Sequence, residues 1–236
     1  MLLHLLDSAR QIMADRVTVV VGSGADLVEN SLSGQECRCV MQSERLGTGH
    51  AAMQALPFID DQAKVMILPG DMPLIRPETL IRLIDTQADL AILSFIADDP
   101  TGYGRVLRDQ AGRVRAIREH RDASDEEKAV QEVNSGVMCA RASDWKKWLA
   151  NIRSDNAQGE YYLTDCIGLA AAEQRPVEAV VADDPDELLG ANDRAQLAQL
   201  EQVFQRRARE TLMAAGVTLL APETVNIRGH IEVETD

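Results

Sequence analysis

Aromatic residues are scarce in this chain, 3% of 236 residues, so its core must be assembled from Leu, Val, Ile, Ala and Met. Basic residues are also in deficit: 24 Lys and Arg against 38 Asp and Glu leave a formal charge of −14. That balance argues against a broad nucleic-acid surface or an anionic membrane partner. It leaves room for a local phosphate site, which needs only a few backbone N–H groups and cations. Cysteine is limited to Cys37, Cys39, Cys139 and Cys166 with no CxxC spacing, and these read as reduced thiols of a cytoplasmic protein. No apolar run reaches transmembrane length, and "MLLHLLDSARQIM" is broken by His4, Asp7, Ser8 and Arg10, unlike a signal peptide. His4, His50, His120 and His230 never form HxxxH or HxxEH, and no serine or cysteine stands in a nucleophile elbow. Zinc chemistry and covalent catalysis are therefore disfavoured.

What is present is an alternation of helical and extended patterns. The length suits one large domain, or one domain plus an appendage. Leu2, Leu3, Leu5, Leu6, Ala9, Ile12 and Met13 recur with helical spacing, so the chain opens on a helix. "VTVVVG" (17–22), "CRCVMQ" (37–42), "KVMILPG" (64–70) and "DLAILSFIA" (89–97) read as strands separated by helices. Near-continuous apolar strands in such an alternation predict a parallel sheet covered on both faces. From about Asp99 the texture changes. "GYGRVLRDQAGRVRAIREH" alternates around Gln110-Ala111-Gly112 as a β-hairpin, and "SGVMCA" is a strand. Helices follow at about 142–151 and 161–173, then the strand "PVEAVVA", then a long helix from Asp193 to about Ala215. The last stretch, "TLLAPETVNIRGHIEVETD", reads as short strands and turns.

In open α/β sheets, ligands bind outside the carboxyl ends of the strands. "KVMILPGDMPLI" delivers Asp71 to such an end. A carboxylate there suits Mg²⁺, which takes one or two carboxylates and fills its other positions with water and phosphates. It would equally suit a helix cap or an Asx turn. "VVVGSGADLV" starts like a dinucleotide fingerprint, but the third glycine would fall on Leu27 and no carboxylate closes a second strand, which argues against a nicotinamide cofactor. "QSERLGTGHA" (42–51) would let the backbone approach a flat ligand, with Gln42 offering two-sided amide hydrogen bonds to a base. "DPTGYGR" (99–105) is a tight turn. Glu119, Asn134 and Asn192 stand at element ends, where each also reads as a cap or turn residue. Asn192 in particular is placed to cap the long helix.

Read together, "QSERLGTGHA", "LPGDMPLI", "DDPTGYGRV", "REHRDAS", "QEVNSGV", "NAQGEYYLTD" and "GANDRAQL" form an ordered series over residues 42–196. This series closely resembles the uridyltransferase domain of the bacterial bifunctional N-acetylglucosamine-1-phosphate uridyltransferase/glucosamine-1-phosphate acetyltransferase family. The resemblance implies an α/β fold, a Rossmann-like mixed sheet of the sugar nucleotidyltransferase type with an inserted sugar-binding lobe at about 99–175. It implies that Gln42, Gly47 and Thr48 hold the uracil and neighbouring nucleotide, and that Asp71 and Asn192 bind Mg²⁺. Gly104, Glu119 and Asn134 would contact N-acetylglucosamine, with Tyr162 and Thr164 lining the same pocket. Pro69-Gly70-Asp71 stands where the family usually has Tyr-Gly-Asp, so Pro69 and Gly70 carry over as positions beside the metal site. The implied reaction joins UTP and N-acetylglucosamine 1-phosphate, releasing pyrophosphate and making UDP-N-acetylglucosamine for peptidoglycan and lipopolysaccharide synthesis. A relative using another sugar phosphate or nucleotide, and a module that binds sugar nucleotide without turnover, are the alternatives.

Two family segments have no counterpart in the sequence. One is the first strand with its glycine-rich Leu-x-x-Gly-x-Gly-Thr-Arg-Met loop and the following Pro-Lys pair; the other is the body of a left-handed β-helix that carries acetyl transfer and trimerisation. The resemblance thus divides the chain into a nucleotidyltransferase domain lacking those elements (1–192), a linker helix (193–216) and the entry to a β-helix (217–236). It implies impaired turnover for a chain without the phosphate loop, and no acetyltransferase site or trimer contact within these residues.

Overall fold

A computed structural model of the protein describes residues 1–229 and 231–233. The chain begins with α1 (Leu2–Gln11), β1 (Thr18–Val21), α2 (Ala25–Ser31), β2 (Arg38–Met41) and α3 (Thr48–Ala55). Next come β3 (Lys64–Ile67), α4 (Pro77–Ile84) and β4 (Leu90–Ile96). The hairpin β5 (Arg105–Arg108) and β6 (Val114–Arg118) follows, then α5 (Asp125–Lys128) and the ten-residue β7 (Glu132–Arg141). The remaining elements are α6 (Ala142–Leu149), α7 (Asp165–Ala172), β8 (Val177–Val181) and α8 (Arg194–Ala214).

β7 organises the molecule. Along one edge it pairs antiparallel with β4 from Leu90↔Ala140 to Ile96↔Glu132. Along the other it pairs with β3 near its end, Lys64↔Arg141 to Ile67↔Met138, and with the hairpin near its start, Arg105↔Val133. β8 adds to β4 in parallel, giving a six-stranded mixed sheet. β1 and β2 form a separate two-stranded parallel ribbon.

The parallel sheet expected from the apolar runs is thus a mixed one, though both faces are covered as expected. Leu90 and Ile92 of β4 enter one apolar cluster with Trp145, Trp148, Leu149, Ile167 and Met138. Ala91, Leu93 and Phe95 enter another on the opposite side, with Leu5, Leu80 and Leu83. A continuous apolar strand reports burial on two faces and carries no record of its neighbour's direction. The two tryptophans of α6 meet edge to face at 6.0 Å, and Trp145 Nε1 donates to Val65 O at 3.2 Å, fastening α6 to β3.

Two boundaries move and bear on function. Asn134 lies inside β7, because "EVN" joins the ladder opposite Ser94, Phe95 and Ile96. Tyr162 and Thr164 precede a helix that starts only at Asp165. The expected short strands at the end are also not observed. Among the described residues after α8 the only regular element is a 3₁₀ turn at Pro222–Thr224. Strand backbone needs a ladder partner; this segment instead rests on α8, where Gln205 accepts from Ile227 N at 2.7 Å and donates to Ile227 O at 2.9 Å. His230 and 234–236, part of the expected β-helix entry, lie outside the described residues.

Candidate active site

The expected site residues are linked by one continuous series of contacts. It starts at Gln42, just past β2, whose Nε2 donates to Gly47 O at 3.2 Å and lies 3.0 Å from His50 Nδ1. This amide is therefore partly committed within its own loop, and two-sided pairing to a base is not open to it as it stands. Gly47 has φ +105°, and a β-carbon there would lie 2.6 Å from Tyr161 O. The close approach that glycine permits at this point is to the chain's own backbone, not to a ligand as the sequence suggested. The exposed Thr48 accepts from Leu163 N at 3.1 Å, so the segment 42–49 is sewn to 161–163.

From there the series passes into the hairpin. Thr164 Oγ1 donates to Glu119 Oε1 at 2.8 Å. Burial pushes the Glu119 carboxyl above the usual carboxylate range, the Thr164 hydrogen bond opposes that, and Asp122 adds to it. Tyr162, 7% exposed, donates from its hydroxyl to Asp122 Oδ2 at 3.3 Å. Glu119 in turn sits 3.4 Å from where a Gly104 β-carbon would be, and Gly104 O accepts from Asn134 N at 2.8 Å. Asn134 is buried, and its side-chain Oδ1 has no hydrogen-bond partner among the described residues. A buried carbonyl oxygen without a donor is a costly group, and it marks a place where a ligand hydroxyl or amide would be welcome.

β7 carries the series on to the acid. Its ladder shifts register between Ile92 and Ser94 of β4, and Ser135 Oγ donates to Leu93 O at 2.8 Å within that bulge. Pro69 rests its ring against the bare α-carbon of Gly136, two residues after Asn134; a β-carbon there would be 2.8 Å from Pro69 Cγ. The exposed Gly70 then turns the chain to Asp71. Asp71 neither caps α4, whose N-cap is Arg76, nor accepts a hydrogen bond from any described residue. Its carboxylate lies against Gly190, where a β-carbon would sit 2.8 Å from Oδ2. The Tyr103 hydroxyl of the 99–105 turn is held above its ordinary pKa by burial first and by the Asp71 charge second, and its ring packs edge to face on Phe95 at 5.2 Å.

Asn192 ends the series, exposed and two residues beyond Gly190. It does not cap α8. Asp193 does, accepting from Gln196 N at 2.8 Å, while Gln196 Oε1 accepts from Asn192 N at 2.7 Å and fixes the loop backbone. The Asn192 amide is thereby left free to serve elsewhere.

Among the described residues no three His, Cys, Asp or Glu side chains gather as a metal cluster. One unpaired carboxylate facing a loop that ends in an exposed amide is an oxygen-donor set of low count. It fits Mg²⁺, which keeps waters and substrate phosphates in its shell, and does not fit zinc.

Three contributors escaped the sequence reading. Asp122 lay in the quoted "REHRDAS" without being singled out, Gly190 two residues before Asn192, and Tyr103 between the two glycines of "TGYGR". Cys139 and Cys166 are core residues; burial pushes the Cys139 thiol up to about 11. Among the described residues no helix is long and apolar enough to cross a membrane.

Comparison with known proteins bears on the family and the fold. The bifunctional protein GlmU of Azoarcus sp. (strain BH72) is 47% identical over 242 residues, covering 100% of this chain and 54% of that protein. GlmU of Pseudomonas aeruginosa (strain LESB58) is 45% identical over 238 residues, covering 100% of this chain and 52% of that protein. The chain spans about half the length of these curated relatives. The crystal structure of HddC from Yersinia pseudotuberculosis superposes with a TM-score of 0.53 at 19% identity, over 76% of this chain and 75% of that one, which establishes the fold. Residues 1–143 match the MobA-like NTP transferase domain, and the chain belongs to that nucleotidyltransferase family.

Proposed function

We propose that this domain transfers a uridylyl group from UTP to N-acetylglucosamine 1-phosphate. The observation that carries the reading is the run of contacts from Gln42 to Asn192, with the buried, unpartnered Asn134 Oδ1 at its centre. In this reading the loop of Gln42, Gly47 and Thr48 borders the nucleotide, Gln42 offering its amide oxygen while Gly47 and Thr48 fix the loop against 161–163. Gly104, Glu119, Asn134, Tyr162 and Thr164 hold the sugar, Asn134 through its free oxygen and Glu119 through the carboxylate oxygen that Thr164 leaves open. The sugar-phosphate oxygen attacks the α-phosphorus of UTP, the bond from that phosphorus to the bridging oxygen breaks, and pyrophosphate leaves. Alignment supplies much of the rate, because two bound reactants held in line react as one.

Asp71 and Asn192 would hold Mg²⁺, with Pro69 and Gly70 shaping the turn that presents Asp71. The bound ion supplies charge neutralisation on the phosphates. The product, UDP-N-acetylglucosamine, would feed peptidoglycan and lipopolysaccharide synthesis.

The test is pyrophosphate release from UTP, N-acetylglucosamine 1-phosphate and Mg²⁺, with Asp71→Ala as control and the other triphosphates as competitors. Release that Asp71→Ala abolishes and that UTP alone supports is the expected result. Release with a different triphosphate assigns another nucleotide. Binding of UDP-N-acetylglucosamine without release makes the domain a sugar-nucleotide binder.

A further inference from the structure

We infer that Glu187 is a positioning residue that sets the spacing between Asp71 and Asn192; this rests on the metal-binding reading above. Glu187 is 2% exposed and lies in the 3₁₀ turn Pro185–Leu188. Its Oε2 accepts from the backbone N of Arg76 at 3.0 Å, and its Oε1 accepts from Thr79 Oγ1, a 5%-exposed residue, at 2.9 Å. One donor is the N-cap residue of α4 and the other stands in its first turn, which has Pro77 inside it and no side chain of its own capping it. Glu187 is thus a cap supplied from 111 residues away, set against the positive end of the helix dipole.

Its place along the chain gives the cap a second role. Arg76 follows Asp71 by five residues, and Asn192 follows Glu187 by five. The loop that presents Asp71 and the loop that presents Asn192 are therefore pinned together at one buried carboxyl. They touch again at Asp71 against Gly190. Nearer the surface, Asp184 accepts from Arg76 at 2.7 Å and from Arg207 at 2.9 Å, bringing α8 into the same arrangement. Glu187 touches no candidate substrate group. Its effect is exerted through the two loops, and groups that orient ligands in this way commonly change metal affinity 10- to 100-fold.

The test measures metal binding directly. Free Mn²⁺ is followed by electron paramagnetic resonance while it is titrated into the full chain saturated with UDP-N-acetylglucosamine, a condition without turnover. Glu187→Ala is expected to weaken Mn²⁺ binding 10- to 100-fold. Glu187→Gln keeps an acceptor for Arg76 N and an amide that the Thr79 hydroxyl can receive, and should bind as the parent does. Thr79→Val removes one donor, keeps the shape, and should fall between; it carries the test if Glu187→Ala does not fold. Val114→Ala, a core truncation in the hairpin, controls for lost stability and should leave Mn²⁺ binding unchanged. Parental Mn²⁺ binding in both Glu187→Ala and Thr79→Val, with binding lost in Asp71→Ala, overturns this inference alone. No Mn²⁺ site in the parent chain overturns the metal-binding reading, and this inference with it.

Discussion

Thr164 donates a 2.8 Å hydrogen bond to Glu119 across 45 residues, at the point where the loop entering α7 meets the end of β6. Burial holds the Glu119 carboxyl above the ordinary range, and this bond, although it pulls the other way, does not restore it. A group bound more tightly to its proton in the folded than in the unfolded state makes stability fall as pH rises. The fall begins near the unfolded glutamate value, about 4.3, and ends once pH has passed the folded value. Glu119→Gln removes this term. Thermal unfolding should show Glu119→Gln more stable than the parent at pH 7, with the gap closing toward pH 4, while sugar-phosphate turnover falls. Equal melting points at pH 7 would count against it.

Gly47→Ala should be among the most damaging small substitutions. The residue holds φ +105° and its β-carbon would be driven to 2.6 Å from Tyr161 O. Forcing an alanine into that conformation costs about 1–3 kcal/mol before any clash. Urea unfolding at constant slope should show a loss of at least that size.

At Gly190 the same added methyl should hurt function more than stability. It meets the end of the Asp71 side chain, which can swing away, and not backbone. We expect Gly190→Ala to leave the unfolding midpoint nearly unchanged while the Mg²⁺ concentration for half-maximal turnover rises about 10- to 100-fold.

Asp193 and Asn192 are adjacent, and their alanine variants should separate cleanly. Asp193→Ala deletes the α8 cap and should cost about 0.5–2 kcal/mol of stability. Asn192→Ala removes an exposed side chain, should stay within about 0.5 kcal/mol of the parent, and should lose metal-dependent turnover. The reverse pattern in chemical denaturation would return Asn192 to a capping role.

Periodicity alone located nearly every helix and strand, because apolar spacing is imposed by which faces are buried. The direction of β3 and β4 relative to β7 was invisible, since both are apolar on two sides whichever way their neighbour runs. Asp71 was conspicuous as a charge at the end of an apolar run. Gln42 was conspicuous too, yet the bond that occupies its amide comes from Gly47, and no side-chain pattern announces a main-chain acceptor. Gly47 was read correctly as a point of close approach and wrongly as to what approaches, because the partner lies 114 residues away, at Tyr161. Glu187 was not singled out in the sequence, where nothing distinguishes it from the acids around it, and only the fold reveals that it is buried and faces a helix with no side-chain cap of its own.

β7 has a consequence for how the molecule comes apart. Its first residues bind the hairpin, its last bind β3, and its whole opposite edge binds β4. Neither the half bearing Glu119 nor the half bearing Asp71 can detach without breaking a strand that the other half also uses. The two should therefore melt as one cooperative unit, with the amides of Val137–Ala140 the slowest to exchange with deuterated water. A sugar held at one end of that strand would then slow exchange at the other, with no hinge between them.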